Sequence, residues 1–158
     1  MQGTALAFLI IGLGGGIQPT PQAVQAVQET QASPLSFASK RANYDWDRII
    51  PLDLAVDGLS VKSVFFNKRV VTRGPLKGAT FGTRARVEVV NTSDRPKNTG
   101  FAVAVFDDRD NLLGVASGGN VFGVVRSGRT TTFDLNFSQV KERLQRGSYF
   151  VISVELID

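Results

Sequence analysis

The 158-residue chain contains no cysteine and no histidine. Without cysteine there are no disulfides, no thiolate metal sites, no cysteine nucleophile and no acylated-cysteine anchor. Without histidine the commonest general base and the commonest transition-metal ligand are gone, and Ser-His-Asp and Cys-His catalysis go with them. Carboxylate chemistry, a Ser-Lys pair and oxygen-ligand calcium sites survive these exclusions. Charge of one sign is not concentrated either. Eighteen Lys and Arg against fourteen Asp and Glu leave a net charge of +4. The cations are scattered along the chain and fall short of the basic footprint of a nucleic-acid binder.

What is present is ordinary for a globular domain: 42% hydrophobic and 20% charged residues in a chain long enough for one core plus an extension. The organising stretch is Arg84–Leu113. Ala85, Val87 and Val89 alternate with Arg84, Arg86 and Glu88, and Phe101, Val103 and Val105 alternate with Ala102, Ala104 and Phe106. A period of two marks strands with one buried and one solvated side. Between them Asn91–Gly100 (NTSDRPKNTG) is a loop by composition. Its ten residues exceed a tight hairpin, so the flanking strands need not pair, and in a sandwich this is where the chain crosses between sheets. Asp107–Gly114 (DDRDNLLG) resembles the start of a calcium loop but lacks the later ligand positions and the glycine, and reads as a hairpin turn.

Further strands are expected at Leu59–Phe66, Arg69–Thr72, Leu112–Ser117, Asn120–Val125, Thr130–Phe137 and Ser148–Ile157, with a turn at Asn67–Lys68. Phe133, Leu135 and Phe137 face inward, as do Phe150, Ile152, Val154 and Leu156. Ser138–Arg146 predicts the one short helix, with Ser138 as its cap, Val140 and Leu144 on one side, and Gly147 as its stop. Asn43–Asp57 carries the only Trp, and its four aspartates read as solvated turns rather than a cation site. The fold class is therefore all-β, a sandwich of about seven antiparallel strands with one short helix before the last.

Ala5–Ile17 is apolar and uncharged, of a length that suits the apolar region of a secretory signal peptide and not a membrane span of about 20 residues. No Lys or Arg precedes it, and Gly14–Gly16 dilutes it. Val24-Gln25-Ala26 permits cleavage after Ala26, and Thr30-Gln31-Ala32 offers a second site. An uncleaved anchor or a buried strand is the alternative. The Gln-, Pro- and Ala-rich residues that follow have almost no bulky apolar side chains with which to offset their ordering entropy. This assigns residues 1–26 to a signal peptide or N-terminal apolar segment, 27–43 to a disordered linker and 44–158 to the sandwich. The expected location is extracytoplasmic, with only transient membrane contact through the N-terminal segment.

The succession of Val87–Asn91 with Thr92 and Ser93, Phe101–Asp107, Asn111–Gly114, Arg126-Ser127-Gly128 with Phe133, and Tyr149–Val154 is similar to bacterial FxLYD-type domains. The resemblance spans roughly Phe81 to Asp158 and departs at Phe106, Asn111 and Ser127. It implies an immunoglobulin-like or fibronectin-III-like sandwich of the cell envelope, an accessory or binding module with no catalytic residues to carry over. The expected function is non-enzymatic interaction with a protein or glycan partner through loops or an edge strand, without cofactor, metal or nucleic acid. Candidate binding residues are Asn91, Asp94 and Arg95 in the long loop and Asp108, Arg109 and Asp110 in the tight turn. The alternatives are a carboxylate-dependent hydrolase built on Asp107, Asp108 and Asp110, and binding of an anionic polymer or nucleic acid through the Arg84/Arg86 face.

Overall fold

In the computed structural model, residues 36–70, 74–119, 124–140 and 142–157 are described. Among the described residues there are eight strands, β1 (Ser36–Asn43), β2 (Ile49–Val56), β3 (Leu59–Val70), β4 (Thr80–Asn91), β5 (Thr99–Phe106), β6 (Leu112–Gly119), β7 (Thr130–Phe137) and β8 (Tyr149–Leu156). They form two four-stranded antiparallel sheets, one in the order β1-β8-β5-β6 and the other β2-β3-β4-β7. The described residues form an all-β sandwich.

The inner rows follow the alternation of the sequence. Ala85, Val87 and Val89 of β4, Phe101, Val103 and Val105 of β5, and Phe150, Ile152, Val154 and Leu156 of β8 are all buried in one core. β3 changes step: Leu59 and Val61 are buried, then Val64 and Phe66, with the register against β4 shifting between Val61 and Ser63. A bulge here inserts the extra residue that keeps both halves of the strand facing inward. The loop Asn91–Gly100 joins strands of opposite sheets, as its length predicts. The β2–β3 connection is the tight turn Asp57-Gly58, with φ of 39° and 78°. Positive φ at both central residues is the primed hairpin geometry for which Asp-Gly is suited.

Three sequence expectations need correction. Ser36–Asn43, assigned to the linker, is strand β1, paired along its whole length with β8. Its inward positions are Ala38, Lys40 and Ala42, too small or polar to register as a buried row, and the ladder to β8 supplies what the side chains do not. Residues 27–35 and the N-terminal segment lie outside the described residues. The turn at Asn67–Lys68 is absent, because β3 runs unbroken to Val70 against β4, and Asn67 Oδ1 accepts a hydrogen bond from Arg84 Nε at 3.0 Å. Tertiary pairing overrides the turn propensity of Asn. The predicted helix Ser138–Arg146 reduces to a 3₁₀ turn, Arg143–Arg146, preceded by Glu142, whose side chain caps nothing. Val140 and Leu144 are both buried, so the apolar pair was legible, but Val140 N–H donates to Phe137 O and turns the chain before any helix forms. The run Asn120–Val125 falls mostly outside the described residues, and Val125 makes only an isolated bridge to Lys97.

Candidate functional site

β5 separates the two groups of candidate residues. The long loop enters it at Thr99 and the tight turn leaves it at Phe106, and eight extended residues span about 25 Å. Asn91, Asp94 and Arg95 therefore lie at one end of the sandwich, and Asp108, Arg109 and Asp110 at the other. They cannot form one site.

At the first end Asn91 continues the inner row of β4 and is completely buried. Its amide nitrogen donates to Arg95 O and Val125 O, both at 2.8 Å, and its Oδ1 accepts from Ser93 N–H at 3.0 Å and from Ser93 Oγ at 2.6 Å. All of its capacity is spent on the loop and on Val125, so Asn91 organises this end of the sandwich and is out of reach of a partner. Lys97 continues the inner row of β5 in the same way, with its side chain 7% exposed. Its ammonium binds Asp57 Oδ2 in the β2–β3 turn of the opposite sheet, and Arg95 approaches the same oxygen at 3.5 Å. The hydrogen bond and charge of Lys97 hold the Asp57 carboxyl below its ordinary range. Of the three candidates here, only Asp94 and Arg95 are exposed.

At the second end the turn is organised by Asp107. Its Oδ1 accepts from Arg109 N–H at 2.9 Å and Asn111 N–H at 2.8 Å, and its Oδ2 from Asn111 Nδ2 at 3.0 Å. These bonds, that of the Asn111 side chain foremost, lower its pKa. Asp108, Arg109 and Asp110 are exposed, Asp110 with φ of 62°. Asp110 accepts a hydrogen bond from Tyr149 Oη at 2.7 Å, which raises the pKa of the phenol. Tyr149 is itself held from both sides. Phe106 of β5 stacks on it at 5.0 Å and 9°, and the Arg41 guanidinium of β1 lies 3.5 Å from its ring centroid. This row across β1, β8 and β5 includes Arg41, in a segment whose composition predicts a linker.

The two arginines on the outer face of β4 are not free. Arg84 Nη1 donates to Asp134 Oδ2 at 2.7 Å and Arg86 Nε to Asp134 Oδ1 at 3.2 Å, so one carboxylate on β7 serves both. Beside them Ile49, Phe65, Arg86, Glu88 and Thr132 line a shallow depression of about 430 Å³.

The four edge strands differ in how they are protected. β1 carries Lys40 and Arg41; β2 carries Pro51, Asp53 and an irregularity between Pro51 and Leu54; β7 carries Asp134. β6, LLGVASGG, carries no charge and no proline, exposes Leu112 and Val115, and has as its one guard an irregularity at Leu112–Gly114. Charges, prolines and bulges are the usual guards of a sheet edge. Composition alone could have found this strand, since Leu112–Gly119 is uncharged, but its position at an edge could not be read. Among the described residues no group of acidic side chains could hold a metal ion, and no helix is long and apolar enough to cross a membrane. No protein-family model matches the chain, and no curated protein matches it.

Proposed function

We propose that the sandwich is a non-enzymatic interaction module of a bacterial cell envelope, exported from the cytoplasm and binding a protein partner by strand addition to β6. The observation that carries this reading is the uncharged β6 edge, the one edge strand among the described residues with neither charge nor proline, whose irregularity at Leu112–Gly114 leaves Val115–Gly119 in regular register with β5. A strand at a sheet edge offers a row of main-chain donors and acceptors to an extended segment, and the alternate exposed side chains supply specificity. Leu112 and Val115 are apolar contacts of this kind. The resemblance to FxLYD-type, immunoglobulin-like domains and the apolar Ala5–Ile17 followed by small residues favour the envelope location.

A protein partner suits this edge better than a glycan, which cannot extend a ladder. Carboxylate catalysis has less support: Asp107 is committed to its own turn and its pKa is lowered, whereas a general acid needs a raised one. Anionic-polymer binding through Arg84 and Arg86 is opposed by their shared partner Asp134.

A photo-crosslinking amino acid at Val115 in cells of the source organism tests the reading, with Thr132 on the other sheet as the control position. One discrete protein adduct at Val115, lost on Leu112→Lys and absent at Thr132, is the expected result. No adduct at either position, or the same adducts at both, would remove the case for β6. Retention in the cytoplasmic fraction after cell fractionation would remove the envelope assignment.

A further inference from the structure

Beyond Val64 and Phe66, the inner row of β3 carries one more residue, Lys68, past the core to the end of the sandwich where the 3₁₀ turn lies. Lys68, Arg143 and Arg146, with Glu142 and Gln145, line an open pocket of about 560 Å³. The turn that brings the arginines there is fixed by Leu144, fully buried among the core residues, so they are presented from an anchored segment. Among the described residues none of the three cations makes an ion pair. That sets them apart from Lys97, bound to Asp57, and from Arg84 and Arg86, bound to Asp134.

Among the described residues lining the cavity, three cations and one carboxylate leave an excess of two positive charges. A phosphomonoester carries about −1.5 to −2 at neutral pH and presents three acceptor oxygens. Two guanidiniums match such oxygens with paired N–H donors, and a lysine adds a point charge. We infer that this pocket binds a phosphomonoester dianion, either free phosphate or a phosphoryl group on a small carrier. The site is distinct from the β6 edge and does not depend on it.

Isothermal titration of the full chain, at constant ionic strength, separates the possibilities. Inorganic phosphate, glycerol 3-phosphate and glycerol are the probes. Saturable binding of glycerol 3-phosphate is expected, with no binding of glycerol. It should weaken at least tenfold in the Arg143→Ser/Arg146→Ser double variant and several-fold in Lys68→Gln, and stay unchanged in Arg84→Ser. Equal binding of inorganic phosphate would identify the phosphate itself as ligand; tighter binding of glycerol 3-phosphate would add its carrier. Because the double variant alters an anchored turn, its melting curve is compared with the parent, and Lys68→Gln stands as the independent test. No saturation with either phosphate, or equal loss in Arg84→Ser, would overturn the proposal. So would binding confined to vesicles of phosphatidylglycerol, a phosphodiester surface.

Discussion

At one end of the sandwich the inner row of β5 runs on into Lys97, and at the other the inner row of β3 runs on into Lys68. Both lysines continue a buried row past the last apolar layer. Lys97 is enclosed, and its ammonium is bound to Asp57 while Asn91 fills the space beside it with four hydrogen bonds. Lys68 is exposed and has two arginines for neighbours. An ammonium taken out of water must be paired, and one left in water need not be. The first end is thus a structural closure that joins the two sheets. The second leaves its charge available. The same residue type at equivalent places of the two ends therefore carries opposite information, and only its partners distinguish them.

The largest effect should come from opening the closed end. Asn91→Ala removes two donated and two accepted hydrogen bonds from a fully buried site. At about 1 kcal/mol net for each bond, partly offset because Val125 O and Arg95 O keep other partners, the loss should be about 3 kcal/mol. Denaturant unfolding measures it directly. An Asn91→Ala domain as stable as the parent would erase the distinction between the two ends.

Lys97 gives a smaller effect that separates its stem from its charge. Lys97→Ala deletes a packed aliphatic stem and should destabilise by about 2 kcal/mol. Lys97→Met keeps the stem and removes the charge, and should recover most of the loss, because the Asp57 left behind is half-exposed and keeps Arg95, so no unpaired charge stays buried. If Met is as damaging as Ala, the ion pair itself holds the turn to the loop.

The pairing also has a pH signature. The Asp57 carboxyl is lowered, first by its hydrogen bond to Lys97 and then by the charge of Lys97. A carboxyl with a lower pKa in the folded state stabilises fully above its unfolded value, near 3.9 for Asp, and loses that contribution as pH falls through the folded value. Melting temperature should therefore fall below about pH 4, and the fall should be shallower in Asp57→Asn. Asp107, lowered by Asn111, contributes in the same direction, so some acid sensitivity should remain in that variant. Parallel acid profiles for parent and variant would show that Asp57 is not a source of it.

Much of this fold was legible because alternation reports burial directly. Val87, Val89, Val103, Val105, Ile152 and Val154 were identified as core from their period alone, and all are fully buried. The crossing loop and the Asp107–Asn111 turn were legible because their residues act on their own backbones. β1 was not, since a strand whose inward residues are Ala38, Lys40 and Ala42 owes its place to a ladder with β8, more than 100 positions away in sequence. The candidate sites fared worse for the same reason. Asn91 reads as an exposed loop residue until the enclosure around it is seen. Lys68 and Arg143, far apart in the chain, share a cavity that neither local pattern announces. The Asp57-Gly58 pair was available as a hairpin signal, and with it the location of the partner of Lys97.

The smallest effect lies at the open end and concerns Ser138. As the cap of a helix its hydroxyl would contribute about 1 kcal/mol. In the structure Ser138 is exposed in the turn after β7, and the segment it would cap is a 3₁₀ turn that starts five residues later at Arg143. The contribution of the turn comes from Leu144, which is fully buried and lies close to Gly114, where an added Cβ would come within 3.3 Å of it. Ser138→Ala should therefore change stability by less than about 0.5 kcal/mol, as exposed substitutions do. Leu144→Ala should cost about 3 kcal/mol, in the range for a buried leucine. Chemical denaturation of both variants decides the matter. A loss near 1 kcal/mol in Ser138→Ala would mean that Ser138 does cap a helix in solution, and that the arginines of the open end are carried on a longer element than this 3₁₀ turn.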